Sequence, residues 1–422
     1  MSASAGGRRL HVVHLTNAWA ARSGGVRTTL VALGVGYAAR GHRLTVVVPG
    51  ARTQVTTHPW GTLVQLPGPR VPGTGGYRAL VDARAVRHTL DTLAPDRLEV
   101  SDRFTLRHVG AWARGTGTPL LGIAHERVDG LLQTVGHLPG SVARSLADRH
   151  NATTAAAFDR IVATTAHAAA EFDRIGVPTV RIPLGVDLAT FRPVLDEELD
   201  EELDEELDEG PDEGPGVRRS VGPSAGPSAG ASADAATGVR TRPARLVLCS
   251  RLSPEKRPDV AVDAVRALLR QGVGVRLTVL GDGPERAALV RRAHDLPVEW
   301  RGFVADRREV ARTLAAADAV LAPAPAETFG LAALEALACG TPVVAASSSA
   351  VPELLVAGTG RATACAPEPL AAATAGVLAM PRAAARRACR ARAEDFGWDR
   401  TVEGFLAAHA GSPAEDVALV RG

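Results

Sequence analysis

At 422 residues, with 45% hydrophobic and only 4% aromatic residues, the chain is long enough for two or three domains built on cores of Ala, Val and Leu. No apolar run reaches the ~20 residues of a membrane-spanning helix, the first ten residues lack the apolar centre of a signal peptide, and the four cysteines form no CxxC pair, so a span, a zinc site and a disulfide framework are not expected and a reducing cytoplasm is. The net charge of +2 hides an asymmetry: residues 196–213 hold thirteen acidic residues and no base, leaving 48 basic residues against 33 of the 46 acidic ones. That surplus fits an Arg-rich composition, or a basic surface for phosphates or an anionic bilayer.

The first half alternates strand-like and helix-like segments. Strands are expected at 10–15, 44–48, 62–66, 97–100, 119–124, 161–164 and 179–182, with helices at 26–40, 78–93, 104–114, 141–158 and 166–175. This rhythm predicts a doubly wound parallel sheet. Residues 195–243 interrupt it with an LDEE repeat followed by GPSAGPSAGASADAA; the like-charge density opposes a helix, and the Gly/Pro/Ser/Ala run has the composition of a disordered linker. The rhythm resumes with strands at 245–250, 275–281, 298–303, 319–323 and 342–346 and helices at 257–271, 284–294, 306–316 and 330–338.

In open α/β sheets ligands bind beyond the carboxyl ends of the strands, so the residues that follow each strand carry the functional argument. Arg251 and Lys256, in SRLSPEKR, follow strand 245–250 in a loop that leads into a helix. Two cations there can clamp a diphosphate and stabilise it as it leaves; ordinary surface charges are the plainer reading. Lys256 is the only lysine among the 48 basic residues, which favours a position that needs a compact ammonium. Next comes PAPAETFGLAALEALACGTPVV (323–344). Glu327 leaves strand 319–323, Phe329-Gly330-Leu331 open a helix whose free N–H groups can hold oxygens, and Glu335 sits inside that helix among apolar neighbours. Glu327 and Glu335, with seven residues between them, can accept hydrogen bonds from sugar and ribose hydroxyls. The GDGP run at 281–284 lacks the third glycine of a dinucleotide fingerprint, because position 286 is Arg, and this disfavours an oxidoreductase. No metal-ligand cluster is read, and without aromatic-rich basic surfaces no nucleic-acid partner is expected.

The order Arg…Lys, GDGP, GFV and then Glu-seven-Glu within ETFGLAALEALACGTPVV resembles the family 4 retaining glycosyltransferases, over essentially the whole chain outside the linker. The resemblance implies an α/β chain with the GT-B fold, two Rossmann-like doubly wound domains facing across a cleft. It also implies a nucleotide-sugar donor and a lipid-linked or sugar acceptor as partners; because no metal cluster is read and the cationic clamp can do a metal's work, no metal and no cofactor are expected. The expected organisation is an acceptor domain at 1–194, the linker at 195–243, a donor domain at 244–395, and at 396–422 a helix returning to the first domain with a tail. Segment 183–195 is the expected second crossing.

Carried over by motif, Arg251 and Lys256 hold the diphosphate, Glu327 the sugar and Glu335 the ribose, while Thr328, Phe329, Gly330 and Leu331 meet sugar and phosphate. Gly281, Asp282 and Gly283 border the nucleotide, and Phe303 and Val304 the base. Gly24 and Gly25, after the first strand, approach the donor phosphates or form a plain turn. His125, at the end of strand 119–124, orients donor or acceptor or is structural. Asp102 and Arg103, after strand 97–100, are placed to hold the acceptor. The segments around 99–112 and 118–132 resemble GDP-mannose-dependent α-mannosyltransferases that build phosphatidylinositol mannosides on the inner membrane face. A basic amphipathic contact for anionic lipid is read at Arg70, Arg78, Arg84, Arg87 and His88, among Val71, Tyr77, Leu80 and Val86; an ordinary surface helix is the alternative. A UDP-sugar or other donor, a small-molecule or diacylglycerol acceptor, and a nucleotide-sugar epimerase on the same fold are the competing functions.

Overall fold

A computed structural model describes residues 8–19, 25–71, 76–134, 136, 138–194 and 242–411. The expected linker lies almost wholly outside the described residues, as does Gly24.

The first half runs β1 (His11–Leu15), α1 (Gly25–Ala39), β2 (Arg43–Gly50), β3 (Gln54–His58), β4 (Gly61–Pro67), α2 (Ala83–Leu93), β5 (Arg97–Val100) and α3 (Val109–Thr116). It continues through β6 (Leu120–Ala124), α4 (Val128–Thr134), α5 (Gly140–Ala155), β7 (Arg160–Ala163), α6 (Ala166–Asp173) and β8 (Thr179–Arg181). Its sheet has the order β3-β4-β2-β1-β5-β6-β7-β8, parallel throughout except for β3 against β4. The apolar runs arise because both faces are covered. Val12, Val46 and Val48 point into one core with Leu30, Leu33 and Tyr37 of α1. Their neighbours Val13, Leu15 and Val47 point into the other, with Val86 and Leu90 of α2.

The second half runs β9 (Ala244–Cys249), a 3₁₀ turn at Pro254–Lys256, α7 (Pro258–Arg270), β10 (Val275–Leu280), α8 (Arg286–Arg292), β11 (Val298–Gly302), α9 (Arg307–Ala316) and β12 (Ala319–Ala322). Then come α10 (Leu331–Ala338), β13 (Val343–Ala346), a 3₁₀ turn at Val351–Leu354, β14 (Gly360–Thr363), α11 (Pro367–Leu378), α12 (Arg382–Glu394) and α13 (Trp398–Ala410). Its six strands are all parallel, in the order β11-β10-β9-β12-β13-β14. The order reverses between β9 and β12, so a crevice opens beyond their carboxyl ends. Arg251 follows β9 and Glu327 follows β12.

Two segments connect the halves and lie side by side. Val186 N–H donates to the Phe396 carbonyl at 2.8 Å, in a bridge with Gly397. From there α13 packs on the first half: Val402, Phe405 and Ala408 join the core of α1. His409 Nε2 lies 2.9 Å from Oε1 of Glu99, which also accepts from Tyr37 OH at 2.7 Å, while His14 Nδ1 lies 2.8 Å from Oε2. Burial alone would raise the Glu99 carboxyl, but hydrogen bonds from His14 and His409 outweigh it and hold Glu99 below the usual carboxylate range.

Several expected boundaries move, each for a local reason. Helix 78–93 starts only at Ala83, where Asp82 accepts from the N–H groups of Arg84 and Ala85. Helix 104–114 starts at Val109, because the Asp102 carboxylate takes the N–H groups of Phe104 and Thr105 into a turn. The exposed edge strand β3 carries little apolar alternation; it, α4 and the elements from β14 to α12 are absent from the expected set, although α11 and α12 bury Leu370, Ala371 and Val377 and Ala385, Cys389 and Ala393 at helical spacing. Of the residues read as a basic amphipathic contact, Leu80 and Val86 are each 1% exposed and lie in the core, whereas Arg70, Val71, Arg84, Arg87 and His88 are exposed. Arg78 donates to the Gly68 carbonyl, and Tyr77 faces Arg251.

Candidate active site

On the side of the second half, the crevice is built on the turn from Glu327 to Gly330. Gly330 caps α10 with φ +91°, and a Cβ there would stand 2.6 Å from Val351 Cγ2, so only glycine fits both the conformation and the space. No side chain caps α10, so its first-turn N–H groups keep their capacity to hold a ligand oxygen. Lys256 Nζ donates to Glu327 Oε2 at 2.7 Å, with the two side chains 28% and 26% exposed. The Glu327 charge raises the Lys256 ammonium above its usual range. Burial pushes the Glu327 carboxyl up, but Lys256 and the amides of Phe329 and Thr328 outweigh it and hold it low. Both groups are charged at neutral pH. Arg251 lies with its guanidinium carbon 5.7 Å from the ring centre of Tyr77, a residue of the first half.

The GDGP turn packs against the loop that carries Arg251 and Lys256. Gly281 has φ +149°, and a Cβ would come within 1.9 Å of the Ser250 carbonyl; at Gly283 it would come within 2.2 Å of the Leu252 carbonyl. Leu252 N–H donates to the Asp282 carbonyl at 3.1 Å, and the Asp282 carboxylate accepts from Gly283 N–H. Phe303 stands 46% exposed at the rim, whereas Val304 packs on the domain core.

Glu335 lies deeper. Arg307 Nη2 donates to its Oε1 at 3.1 Å, and the Glu335 side chain is 13% exposed. Burial pushes its carboxyl up to about 7, Arg307 opposes the rise, and Asp187 adds to it. The same guanidinium stacks over Phe191 at 4.8 Å and reaches Thr28 Oγ1 of α1 at 3.3 Å. Neither Arg307 nor Tyr77 was singled out for the donor site in the sequence: an arginine at a helix start and a tyrosine in a glycine-rich loop carry no motif.

Across the crevice the first half meets this turn directly. Thr328 Oγ1 donates to the His125 carbonyl at 2.5 Å, and Thr165 Oγ1 donates to the Thr328 carbonyl at 2.9 Å. Gly25, at the start of α1, would place a Cβ 3.6 Å from Leu331 Cδ1. His125, Gly25, Thr328 and Leu331 are thus brought together. The His125 side chain is 20% exposed; burial lowers its pKa, with Glu126 opposing and Arg103 adding, so the imidazole is neutral at pH 7.

Arg103 is a correction. It is 3% exposed, donates to Asn151 Oδ1 at 2.9 Å and to the Glu126 carbonyl, and stacks on Phe172. It braces the loop carrying His125 and offers almost no surface on which to hold an acceptor. Asp102 is largely committed too, accepting from Asn17 Nδ2 at 2.8 Å as well as from its own turn.

Two family models cover most of the chain: "Glycosyl transferase 4-like domain" matches residues 24–185 and "Glycosyl transferases group 1" matches residues 243–380. The chain is 43% identical over 400 residues to the GDP-mannose-dependent alpha-(1-6)-phosphatidylinositol dimannoside mannosyltransferase of Mycobacterium tuberculosis, spanning 94% of this chain and 95% of that one. Among solved structures, sucrose-phosphate synthase from Thermosynechococcus elongatus superposes with a TM-score of 0.71 at 18% identity, over 96% of this chain and 99% of that one. A glycosyltransferase from Rickettsia africae does so at 0.66 and 15%, over 96% and 98%. Two Rossmann-like domains facing across a crevice, the second with the Lys256–Glu327 pair beside the start of α10, together with these relatives, identify the chain as a hexosyltransferase of GT-B fold that belongs to the family 4 glycosyltransferases.

Proposed function

We propose that the enzyme transfers mannose from GDP-mannose to a phosphatidylinositol mannoside or a related lipoglycan, with retention of anomeric configuration. The similarity to the M. tuberculosis mannosyltransferase along 94% of the chain carries the choice of donor and acceptor. In this reading Arg251, Lys256 and the amides from Thr328 to Leu331 hold the donor diphosphate, Glu327 the sugar and Glu335 the ribose. Gly24, Gly25, Gly281, Asp282 and Gly283 border the phosphates and Phe303 and Val304 the base, while His125 faces the reacting carbon and Asp102 borders the acceptor. Residues 1–194 form the acceptor domain and 244–395 the donor domain.

The acceptor hydroxyl attacks the anomeric carbon from the face the diphosphate leaves. The C–O bond to the diphosphate breaks, the new glycosidic bond forms, and a departing phosphate oxygen takes the hydroxyl proton. Arg251, Lys256 and the helix start stabilise the charge that grows on that phosphate. This is work a metal does elsewhere, so the reaction runs without one. No helix among the described residues is long and apolar enough to cross a membrane; a lipid acceptor then requires peripheral contact with the anionic inner face of the plasma membrane, which co-sedimentation with anionic vesicles at low salt tests.

The deciding experiment is thermal shift with GDP, UDP and ADP, followed by transfer from the matching sugar donor to a lipid extract. A selective GDP shift with mannose incorporated into lipid supports the reading. A UDP or ADP preference discards both mannose and lipid.

A further inference from the structure

Helix α6, in the acceptor domain, begins at the cleft and has no acidic residue in its own first turn. Its N-terminal N–H groups nevertheless have carboxylate partners, and these come from the other domain. Glu353 Oε2 accepts from Ala166 N–H at 2.8 Å and Oε1 from His167 N–H at 2.6 Å. The third N–H, of Ala168, is held by Thr165 Oγ1 at 3.0 Å, and that hydroxyl also donates to the Thr328 carbonyl. Of these three N–H groups, one is therefore capped by its own domain and two from across the cleft.

Glu353 is rigidly tied to the donor turn. It lies on the 3₁₀ turn Val351–Leu354, where Arg392 donates to the carbonyls of Glu353 and Leu354, both at 3.0 Å. Ala350 N–H donates to the Glu327 carbonyl at 2.8 Å, and Val351 lies directly under Gly330. On the other side, α6 is tied to the loop that carries His125. Glu171 of α6 is fully buried and accepts from the N–H groups of Val128 at 3.0 Å and Asp129 at 2.7 Å. The chain of contacts runs from the Glu327–Gly330 turn through Glu353 and α6 to the His125 loop.

We propose that Glu353 is a positioning residue: a closure latch whose carboxylate caps α6 across the cleft and sets the His125 loop against the donor turn. This rests on the chain being a glycosyltransferase, and not on the identity of base, sugar or acceptor. When the cleft opens, water replaces Glu353 at Ala166 and His167 N–H; when it closes, the charged cap favours the reactive arrangement. The groups assigned to the donor lie on other residues and need no latch to bind nucleotide.

The test compares wild type with Glu353→Gln and Glu353→Ala. A glutamine keeps the shape, but its amide oxygen accepts only one of the two bonds and its NH₂ faces the other N–H. The readouts are nucleotide Kd by calorimetry, kcat and KM for the donor, and X-ray scattering of the nucleotide-bound protein. GDP is the probe, or whichever of UDP and ADP the wild type binds if GDP does not. The expected result is a Kd within about twofold of wild type, a kcat lower by about tenfold or more, and a less compact nucleotide-bound form. A third variant, Thr165→Val, is expected to lower kcat in the same direction through the same helix start. Unchanged kcat in both Glu353 variants overturns the latch, and so does a loss of kcat accompanied by an equal loss of nucleotide affinity. A wrong donor assignment registers in the wild type, whereas a wrong latch registers only in the comparison of variants.

Discussion

Replacing Lys256 with Met removes the cation beside Glu327 while keeping a stem of similar length. Breaking an enclosed ion pair costs ~3–5 kcal/mol and an exposed one under about 1 kcal/mol. With the two side chains 28% and 26% exposed, the expected cost is about 2 kcal/mol in urea denaturation at pH 7. Glu327→Gln costs a similar amount, and the double variant costs less than the sum of the two by about 1 kcal/mol or more. The effect has a pH signature. The Glu327 carboxyl is lowered on folding from its ordinary 4.5, so its contribution is present above that value and fades as pH falls through the folded one. Lys256 is raised from 10.5, so its contribution is present below that value and fades as pH rises through the folded one. The gap between wild type and Lys256→Met is therefore flat between these limits and narrows outside them. Transfer suffers more, because the variant loses a preorganised cation at the leaving diphosphate: kcat falls by ~10²–10³. Near-normal turnover in Lys256→Met refutes the clamp, and strictly additive stabilities in the double variant refute the pairing.

Gly330→Ala forces φ +91° on an L-residue and drives its Cβ to 2.6 Å from Val351; we expect a loss of about 2–3 kcal/mol by urea denaturation, only partly restored by adding Val351→Ala, which relieves the clash but not the backbone strain. Glu335 is raised on folding to about 7 from 4.5, so folded protein loses stability as pH rises across that interval. Glu335→Gln removes this slope, gaining at most ~3 kcal/mol at pH 8 and almost nothing at pH 4, as urea melts at the two pH values would show. Arg103→Ala should cost about 3 kcal/mol, since it leaves Asn151 and the Glu126 carbonyl without their enclosed donor, yet move the acceptor KM by less than about twofold; a large KM change with intact stability would restore a direct role in acceptor binding. Transfer in excess EDTA should match transfer in Mg²⁺, and a strict metal requirement would end the purely protein-based clamp.

The two-domain α/β plan was legible because parallel strands covered on both faces must be written as near-continuous apolar runs. The Val46–Val48 run of β2 and the Arg245–Cys249 segment announce themselves for that reason. The groups proposed for the donor were legible too, since they lie on two strand-to-helix loops, after β9 and after β12, that the fold places side by side, and the lone lysine in an Arg-rich chain marked one of them. Tertiary structure decided the rest. Arg103 and Leu80 look available in a linear reading, but both fold inward; burial depends on what packs against a residue, and that packing comes from distant segments. Tyr77 at Arg251, Arg307 at Glu335 and Glu353 at α6 are contacts between residues 28 to 187 positions apart. The first and third are set by how the two halves face each other, the second by α9 packing beside α10 within the second half. No local pattern of charge or hydrophobicity encodes such a contact, because each side chain is satisfied by a group that arrives only when the tertiary fold is assembled.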